Sequence, residues 1–145
     1  MNVEWGEFKI SDLFQELPIQ NKLTKLDLSD NGGVPVCSSD TTNNGIIGFT
    51  SKEPDYKISD DIPTYLIFGD HTRTMNILTS DFCVMDNVKV LIPFTPSIQA
   101  ILFICTVWKK CIPDLGKRQT PPTYSNRRIF EIISSNKYWR RFFHD

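Results

Sequence analysis

Short apolar runs that alternate with polar turns fill most of the chain up to residue 93 and predict a domain built mainly of β-strands. Glycine, asparagine and aspartate separate the runs, as expected for tight connections. The runs that read as strands are GVPVCSS (33–39), GIIGFTS (45–51), PTYLIF (63–68), RTMNIL (73–78), DFCVM (81–85) and NVKVLIP (87–93). Asn44-Gly45 favours a hairpin-like reversal between the first two.

The period changes after residue 95 and predicts one amphipathic helix that packs on the sheet. Thr95-Pro96 is a favourable cap and first-turn pair for its start. The apolar positions that follow at helical spacing are Ile98, Ile101, Leu102, Cys105 and Trp108.

The two ends of the chain carry weaker patterns. Residues 3–10 (VEWGEFKI) read as a short strand, and Ser11-Asp12 would cap a helical turn at 11–17 (SDLFQEL). Residues 128–145 (RIFEIISSNKYWRRFFHD) are compatible with a short basic-aromatic helix. The sequence therefore predicts an α+β domain dominated by its sheet, with long polar loops.

Charge is distributed unevenly, although the net charge is only −1. Residues 1–108 carry seven Lys and Arg against fourteen Asp and Glu, a net −7, whereas residues 109–145 carry nine against three, a net +6. An acidic body with a basic tail would bring the tail and a few selected cations to any polyanion. A solvated charged terminus explains the same distribution equally well.

The four cysteines lack the C-x-x-C spacing of a zinc site and lie among apolar residues, at positions 37, 83, 105 and 111. We expect them to be buried thiols of a reducing cytoplasm. The first ten residues carry charges where a signal peptide needs an apolar core. The longest nearly apolar run, residues 97–108, is shorter than the roughly 20 residues of a membrane span. These features predict a soluble cytoplasmic protein.

The densest group of hydrogen-bonding side chains is the corner Gly69-Asp70-His71-Thr72-Arg73-Thr74, enclosed by two strand runs. A catalytic site would use His71 as a base oriented by Asp70 or Asp86, but no nucleophile elbow accompanies it. A metal site would need His71, Asp70 and a thiol. A surface that binds a polyanion would use His71 and Arg73. An ordinary polar turn would use the Asp and Thr side chains to satisfy local backbone groups.

A second polar tip, Asp40-Thr41-Thr42-Asn43-Asn44, connects the first two strand runs. Asparagine can pair with adenine through two hydrogen bonds, yet consecutive Asn residues before Gly are also simply what a turn needs. Glycine loops that cradle phosphates are absent, as are signatures of S-adenosylmethionine binding, so we expect no cofactor.

Four segments taken in order resemble the target recognition domain of type I restriction-modification specificity (S) subunits. The segments are EWGEFKISDLFQEL (4–17), GVPVCSSDTTNNGIIGFT (33–50), IFGDHTRTMNI (67–77) and DFCVMDNVKVLIP (81–93). The resemblance implies a twisted, irregular mixed sheet with one or two packing helices, and no enzymatic activity. It implies a DNA target recognition domain at residues 1–115 that reads one half of a split target. Residues 116–145 depart from the family as a divergent basic tail, as in a truncated half-subunit.

The resemblance also implies which residues face DNA and which partners join. The expected DNA-binding residues are Thr41, Thr42, Asn43, Asn44, His71, Arg73, Lys89, Lys117 and Arg118. The expected partners are double-stranded DNA, the modification methyltransferase subunits and the restriction subunit of the same system, with self-association as a further possibility and no membrane. An orphan module that docks on modification subunits without tight DNA binding is the alternative.

Overall fold

The computed structural model describes the backbone of residues 10–111 and the side chains of residues 11–108. These residues group into two compact units. One unit is Glu16–Ile92, and the other takes in residues 10–15 and 93–111. The strand expected at residues 3–10 lies almost entirely outside the described residues, and the C-terminal helix expected at 128–145 lies wholly outside them.

Two β-sheets carry most of the fold. Their strands are β1 (Phe14–Leu17), β2 (Val34–Cys37), β3 (Ile46–Thr50), β4 (Tyr65–Gly69), β5 (Met75–Leu78), β6 (Cys83–Val84) and β7 (Val88–Pro93). The strand order is β1-β7-β4-β5 in the four-stranded sheet and β3-β2-β6 in the three-stranded sheet. The smaller sheet is mixed, because β2 pairs antiparallel with β3 and parallel with β6. The predicted α+β fold class with irregular mixed sheets is confirmed.

Two antiparallel pairs arise where the sequence predicted short connections. Strands β2 and β3 pair from Val34↔Thr50 to Cys37↔Ile46, with an irregularity after Val36. Strands β4 and β5 pair in register from Tyr65↔Leu78 to Phe68↔Met75. The hairpin-like return at Asn44-Gly45 is therefore confirmed.

The core of the unit Glu16–Ile92 lies between its sheets. Cys37 and Val84 from the smaller sheet join Ile67 and Val90 from the larger one in a single buried cluster. Phe82 completes the cluster, because its ring stacks on Tyr56 at 4.9 Å between centroids and meets Tyr65 edge-on at 5.3 Å. Burial of such aromatic rings is a large source of stability.

Near the N-terminus the structure differs from the expected helical turn at 11–17. Helix α1 (Ile10–Leu13) ends after four residues, and Phe14 begins strand β1. Phe14 is buried while Gln15 and Glu16 are exposed. The chain is therefore extended, not helical, from Phe14 to Leu17, and this strand begins with a buried aromatic ring.

The predicted helix exists as α2 (Ile98–Cys111), but it begins later than Thr95-Pro96 suggested. Ser97 is the residue that caps it, because its Oγ accepts a hydrogen bond from the N–H of Ala100 at 3.3 Å. The buried face consists of Ala100, Ile101, Ile104, Cys105 and Trp108. Ile98 and Leu102, which the helical pattern placed on that face, are 40% and 51% exposed.

Cys37, Cys83 and Cys105 are buried, as predicted for three of the four thiols. Burial raises the pKa of Cys37 to about 12, and nearby Cys83 adds to the shift. Neither described helix has the length and apolar character needed to cross a membrane.

Candidate functional site

Three polar turns meet at one end of the unit Glu16–Ile92. They are residues 38–45 between β2 and β3, residues 69–74 from the last residue of β4 to the start of β5, and residues 85–87 between β6 and β7. We call these three turns the polar edge. The sequence separates them by up to 50 residues, so only the pairing of the strands brings them together.

The first two turns touch at two glycines. A Cβ placed on Gly69 would lie 3.1 Å from the Cα of Ser39, and a Cβ on Gly45 would lie 2.7 Å from Nδ2 of Asn76. Asn44 adds a direct link, because its Nδ2 donates to the backbone oxygen of Ile77 in β5 at 2.6 Å. Glycine at both contact points permits a backbone approach that a side chain would block.

Backbone bonds attach the third turn to the other two. The N–H of Asp70 donates to the oxygen of Asn87 at 2.9 Å, and the N–H of Met85 donates to the oxygen of Cys37 at 2.8 Å. Gly69 also pairs with Val88 at the start of β7. Residues 85–87 therefore form the bridge between the two sheets, since β6 belongs to one sheet and β7 to the other.

The corner at residues 69–74 closes the hairpin of β4 and β5. The N–H of Arg73 donates to the oxygen of Gly69 at 2.7 Å, and the N–H of Gly69 donates to the oxygen of Thr74 at 3.0 Å. Thr72 and Thr74 share a hydroxyl hydrogen bond of 2.8 Å across the turn. The local polar bonding expected of an ordinary turn is thus present at this corner.

Arg73 is the member of the corner whose placement departs most from expectation. Its backbone is left-handed, with a φ of 58°, and the residue is only 7% exposed. A non-glycine residue in this conformation is uncommon and costs free energy. The structure therefore gives Arg73 the position of a residue that holds the turn, whereas the neighbouring His71 is exposed.

The tip at residues 40–44 is exposed at every position. Asp40 organises it, because Oδ1 accepts hydrogen bonds from both the backbone N–H and the hydroxyl of Thr42 at 2.9 Å. These bonds lower the pKa of the Asp40 carboxyl. Asn43 and Asn44 both have positive φ, 47° and 55°. Asn43 uses its Nδ2 to donate to the oxygen of Ile46 at 3.2 Å, so part of its bonding capacity supports the turn.

The structure brings seven of the nine predicted DNA-binding residues to the polar edge or directly beside it. Thr41, Thr42, Asn43 and Asn44 form the exposed tip, and His71 and Arg73 lie in the corner. Lys89 follows two residues after Asn87 on β7, is half-buried, and forms an ion pair with Glu16 at 3.3 Å. Lys117 and Arg118 lie outside the described residues.

Two further residues at this edge, Lys22 and Asn87, were not among those predicted from the sequence. Lys22 reaches the third turn, because its Nζ lies 2.6 Å from Oδ1 of Asp86. This lysine lowers the pKa of Asp86, together with the backbone N–H of Asn87 and the charge of His71. Nothing local in the sequence indicates the Lys22–Asp86 pair, whereas Asn87 carried one usable signal, an Asp-Asn pair at the junction of two strand runs.

The chemistry of the polar edge favours recognition by hydrogen bonds. Exposed hydroxyls, carboxamides and an imidazole stand beside carboxylates, and the charges are mixed. Asp86, one of the two carboxylates considered as an orienter for His71, instead binds Lys22. The exposure of His71 also leaves it without the water-excluding surroundings that acid–base catalysis uses. Within residues 11–108, no cluster of three or more His, Cys, Asp or Glu side chains could hold a metal ion.

Comparison with known proteins agrees with a recognition module. The sequence profile of a domain described as the type I restriction modification DNA specificity domain matches residues 2–115. The fold is similar to the crystal structure of a type I restriction-modification system S subunit from M. genitalium, with a TM-score of 0.67 and 16% sequence identity. That match covers 94% of this chain and 36% of the S subunit, so this chain spans about a third of its length. A search of curated proteins gave no match.

Proposed function

This chain belongs to the type I restriction modification DNA specificity domain family, and we propose that it reads one half of a split target in double-stranded DNA without catalysing a reaction itself. The observation that carries the proposal is the convergence of three polar turns on one edge. A duplex presents rows of donors and acceptors in its major groove, and polar side chains on adjacent turns can meet several of them at once.

Within this proposal the residues of the edge divide into two roles. The exposed groups of Thr41, Thr42 and His71 would touch the duplex, together with the carboxamide oxygens of Asn43 and Asn44. Arg73 is buried, so it would act by fixing the turn that presents His71. Lys22 and Lys89 would supply cations for phosphates, with Lys117 and Arg118 adding further positive charge from the basic tail.

Affinity of the isolated chain should be modest. Residues 1–108 carry a net −7, and both Lys22 and Lys89 are already paired with carboxylates. Each phosphate that a cation neutralises releases counterions and gains free energy, whereas a lysine already paired with a carboxylate contributes less of this gain. We therefore propose that useful affinity requires a partner subunit of the same system, or a second copy of the chain, to bind DNA at the same time.

A titration of labelled random-sequence duplex, followed by fluorescence anisotropy at two salt concentrations, tests the proposal. We expect weak binding that falls steeply as salt rises. Replacement of Lys22 with glutamine should weaken binding to every sequence and lower the salt slope by about one. Lys57→Gln is the matched control, because Lys57 is also exposed but adjoins Tyr56, which pairs with Phe82 at the opposite end of β6. Absence of binding at low salt would refute the proposal.

The mixed charge of the edge gives some support to a second function, docking on modification methyltransferase subunits without tight DNA binding. Asp40, Asp70 and Asp86 all lie on the three turns, and carboxylates repel phosphates. The same titration separates the two functions. Salt-independent absence of DNA binding, together with tight binding to a purified modification subunit, would favour the docking module.

A further inference from the structure

Asn87 combines a fixed backbone with an uncommitted side chain at the centre of the polar edge. We infer that Asn87 is a specificity-determining residue that reads an A·T pair through its carboxamide. This inference rests on the proposed function and deepens it, because it assigns base discrimination to one residue of the edge.

The backbone of Asn87 is held from both sides. Its oxygen accepts the N–H of Asp70 at 2.9 Å, Lys22 holds the preceding Asp86 at 2.6 Å, and the following Val88 pairs with Gly69 in β4. Its φ of 64° is left-handed, a conformation that asparagine tolerates better than most residues. These neighbouring contacts fix the position of the Cα from which the side chain extends.

The side chain of Asn87 is exposed and makes no hydrogen bond within the part of the chain that the structure describes. The other two asparagines of the edge with left-handed backbones differ in this respect. Asn43 donates to the oxygen of Ile46, and Asn44 donates to the oxygen of Ile77 at 2.6 Å. Both amides are therefore oriented toward the protein backbone, whereas no residue that the structure describes orients the amide of Asn87.

A carboxamide with both its donor and its acceptor available is the group that pairs with adenine. Its oxygen accepts from N6 and its N–H donates to N7, and a bidentate pair of this kind discriminates against other bases by about 5- to 150-fold. Asp-Asn at a strand connection also suits a tight turn with no further role. The two possibilities predict different consequences when the side chain alone is removed.

Asn87→Gly removes the side chain and keeps the backbone, because glycine adopts a φ of 64° without strain. Wild-type chain and this variant would each be used at low salt to select from a pool of randomised duplexes. Asn31→Gly is the matched control, since Asn31 is an exposed turn residue before β2, at the opposite end of that strand from Cys37 and the edge. Thermal unfolding would be compared for all three proteins.

We expect the wild type and Asn31→Gly to select one short block with an A·T pair, and Asn87→Gly to lose the preference at that pair by about 5- to 150-fold. Asn87→Asp keeps a residue that tolerates the left-handed backbone but cannot donate to N7, so it should also lose the preference for adenine. If both variants select the wild-type block with undiminished preference, the inference about Asn87 is wrong and the proposed function survives. If the wild type selects no sequence, the proposed function fails and the inference fails with it.

Discussion

Replacement of Gly69 with alanine tests whether the corner at 69–74 packs against the tip at 38–45. The added Cβ would lie 2.6 Å from Oγ1 of Thr72 and 3.1 Å from both Cα and Cβ of Ser39. Thr72 is bonded to Thr74, and the Cα of Ser39 is backbone, so neither moves freely. Overpacking of this kind costs about 1–3 kcal/mol. The loss of unfolded-state freedom on changing Gly to Ala offsets about 0.4–1 kcal/mol of that cost.

Gly33 provides the matched control in the same unit. No atom lies within 4 Å of a Cβ placed there, and its φ is outside the left-handed region, as is that of Gly69. Gly33→Ala should therefore leave the free energy of unfolding unchanged or raise it by about 0.4–1 kcal/mol. Urea denaturation of the two variants should place Gly69→Ala about 1–3 kcal/mol below Gly33→Ala. Equal stability would mean that the two turns do not pack as described, and the polar edge would lose its basis.

Three other substitutions test individual parts of the structure. Asn44→Asp replaces the donor facing the oxygen of Ile77 with an acceptor, so it should lower the free energy of unfolding by about 1–3 kcal/mol at pH 7 and by less at pH 3, where the carboxyl is protonated. Equal losses of stability in urea at both pH values would contradict the hydrogen bond. Arg73→Ala keeps the left-handed backbone strain that Arg73→Gly relieves, so its free energy of unfolding should be about 1 kcal/mol lower than that of the glycine variant. Equal urea midpoints for the two variants would contradict the strain. The pKa of Cys37 is raised to about 12, so this thiol leaves folding stability unchanged below the unfolded thiol's pKa near 8.5 and lowers it as pH rises toward 12. Cys37→Ala should therefore reduce the decline of the free energy of unfolding over this pH range. The same decline in wild type and variant would refute this prediction.

Local signals in the sequence predicted most of the strands because those signals act over a few residues. Asn44-Gly45 specified a reversal since both residues adopt positive φ readily, at 55° and 77°. The helix cap shows the limit of such signals. The sequence predicted a start at Thr95-Pro96, whereas the helix begins after Ser97, whose hydroxyl accepts a hydrogen bond from the N–H of Ala100.

Pairing between distant strands could not be predicted from the sequence. The runs before and after Asp86-Asn87 look alike as consecutive strands, yet β6 joins one sheet and β7 the other. The choice depends on which partner strand buries each run, and that partner lies far along the chain. The Lys22–Asp86 pair, 64 residues apart, shows the same dependence.

The sequence by itself determined that this protein has a strand-rich α+β domain, where its polar turns lie, and which family it belongs to. The tertiary structure alone decided that three of those turns form one edge, that Arg73 is buried while His71 is exposed, and that Asn87 is exposed on the third turn. Turn and strand preferences come from local sterics and hydrogen bonds, which a short window of residues contains. Burial and partner choice depend on contacts between residues far apart in the chain, which only the folded structure specifies.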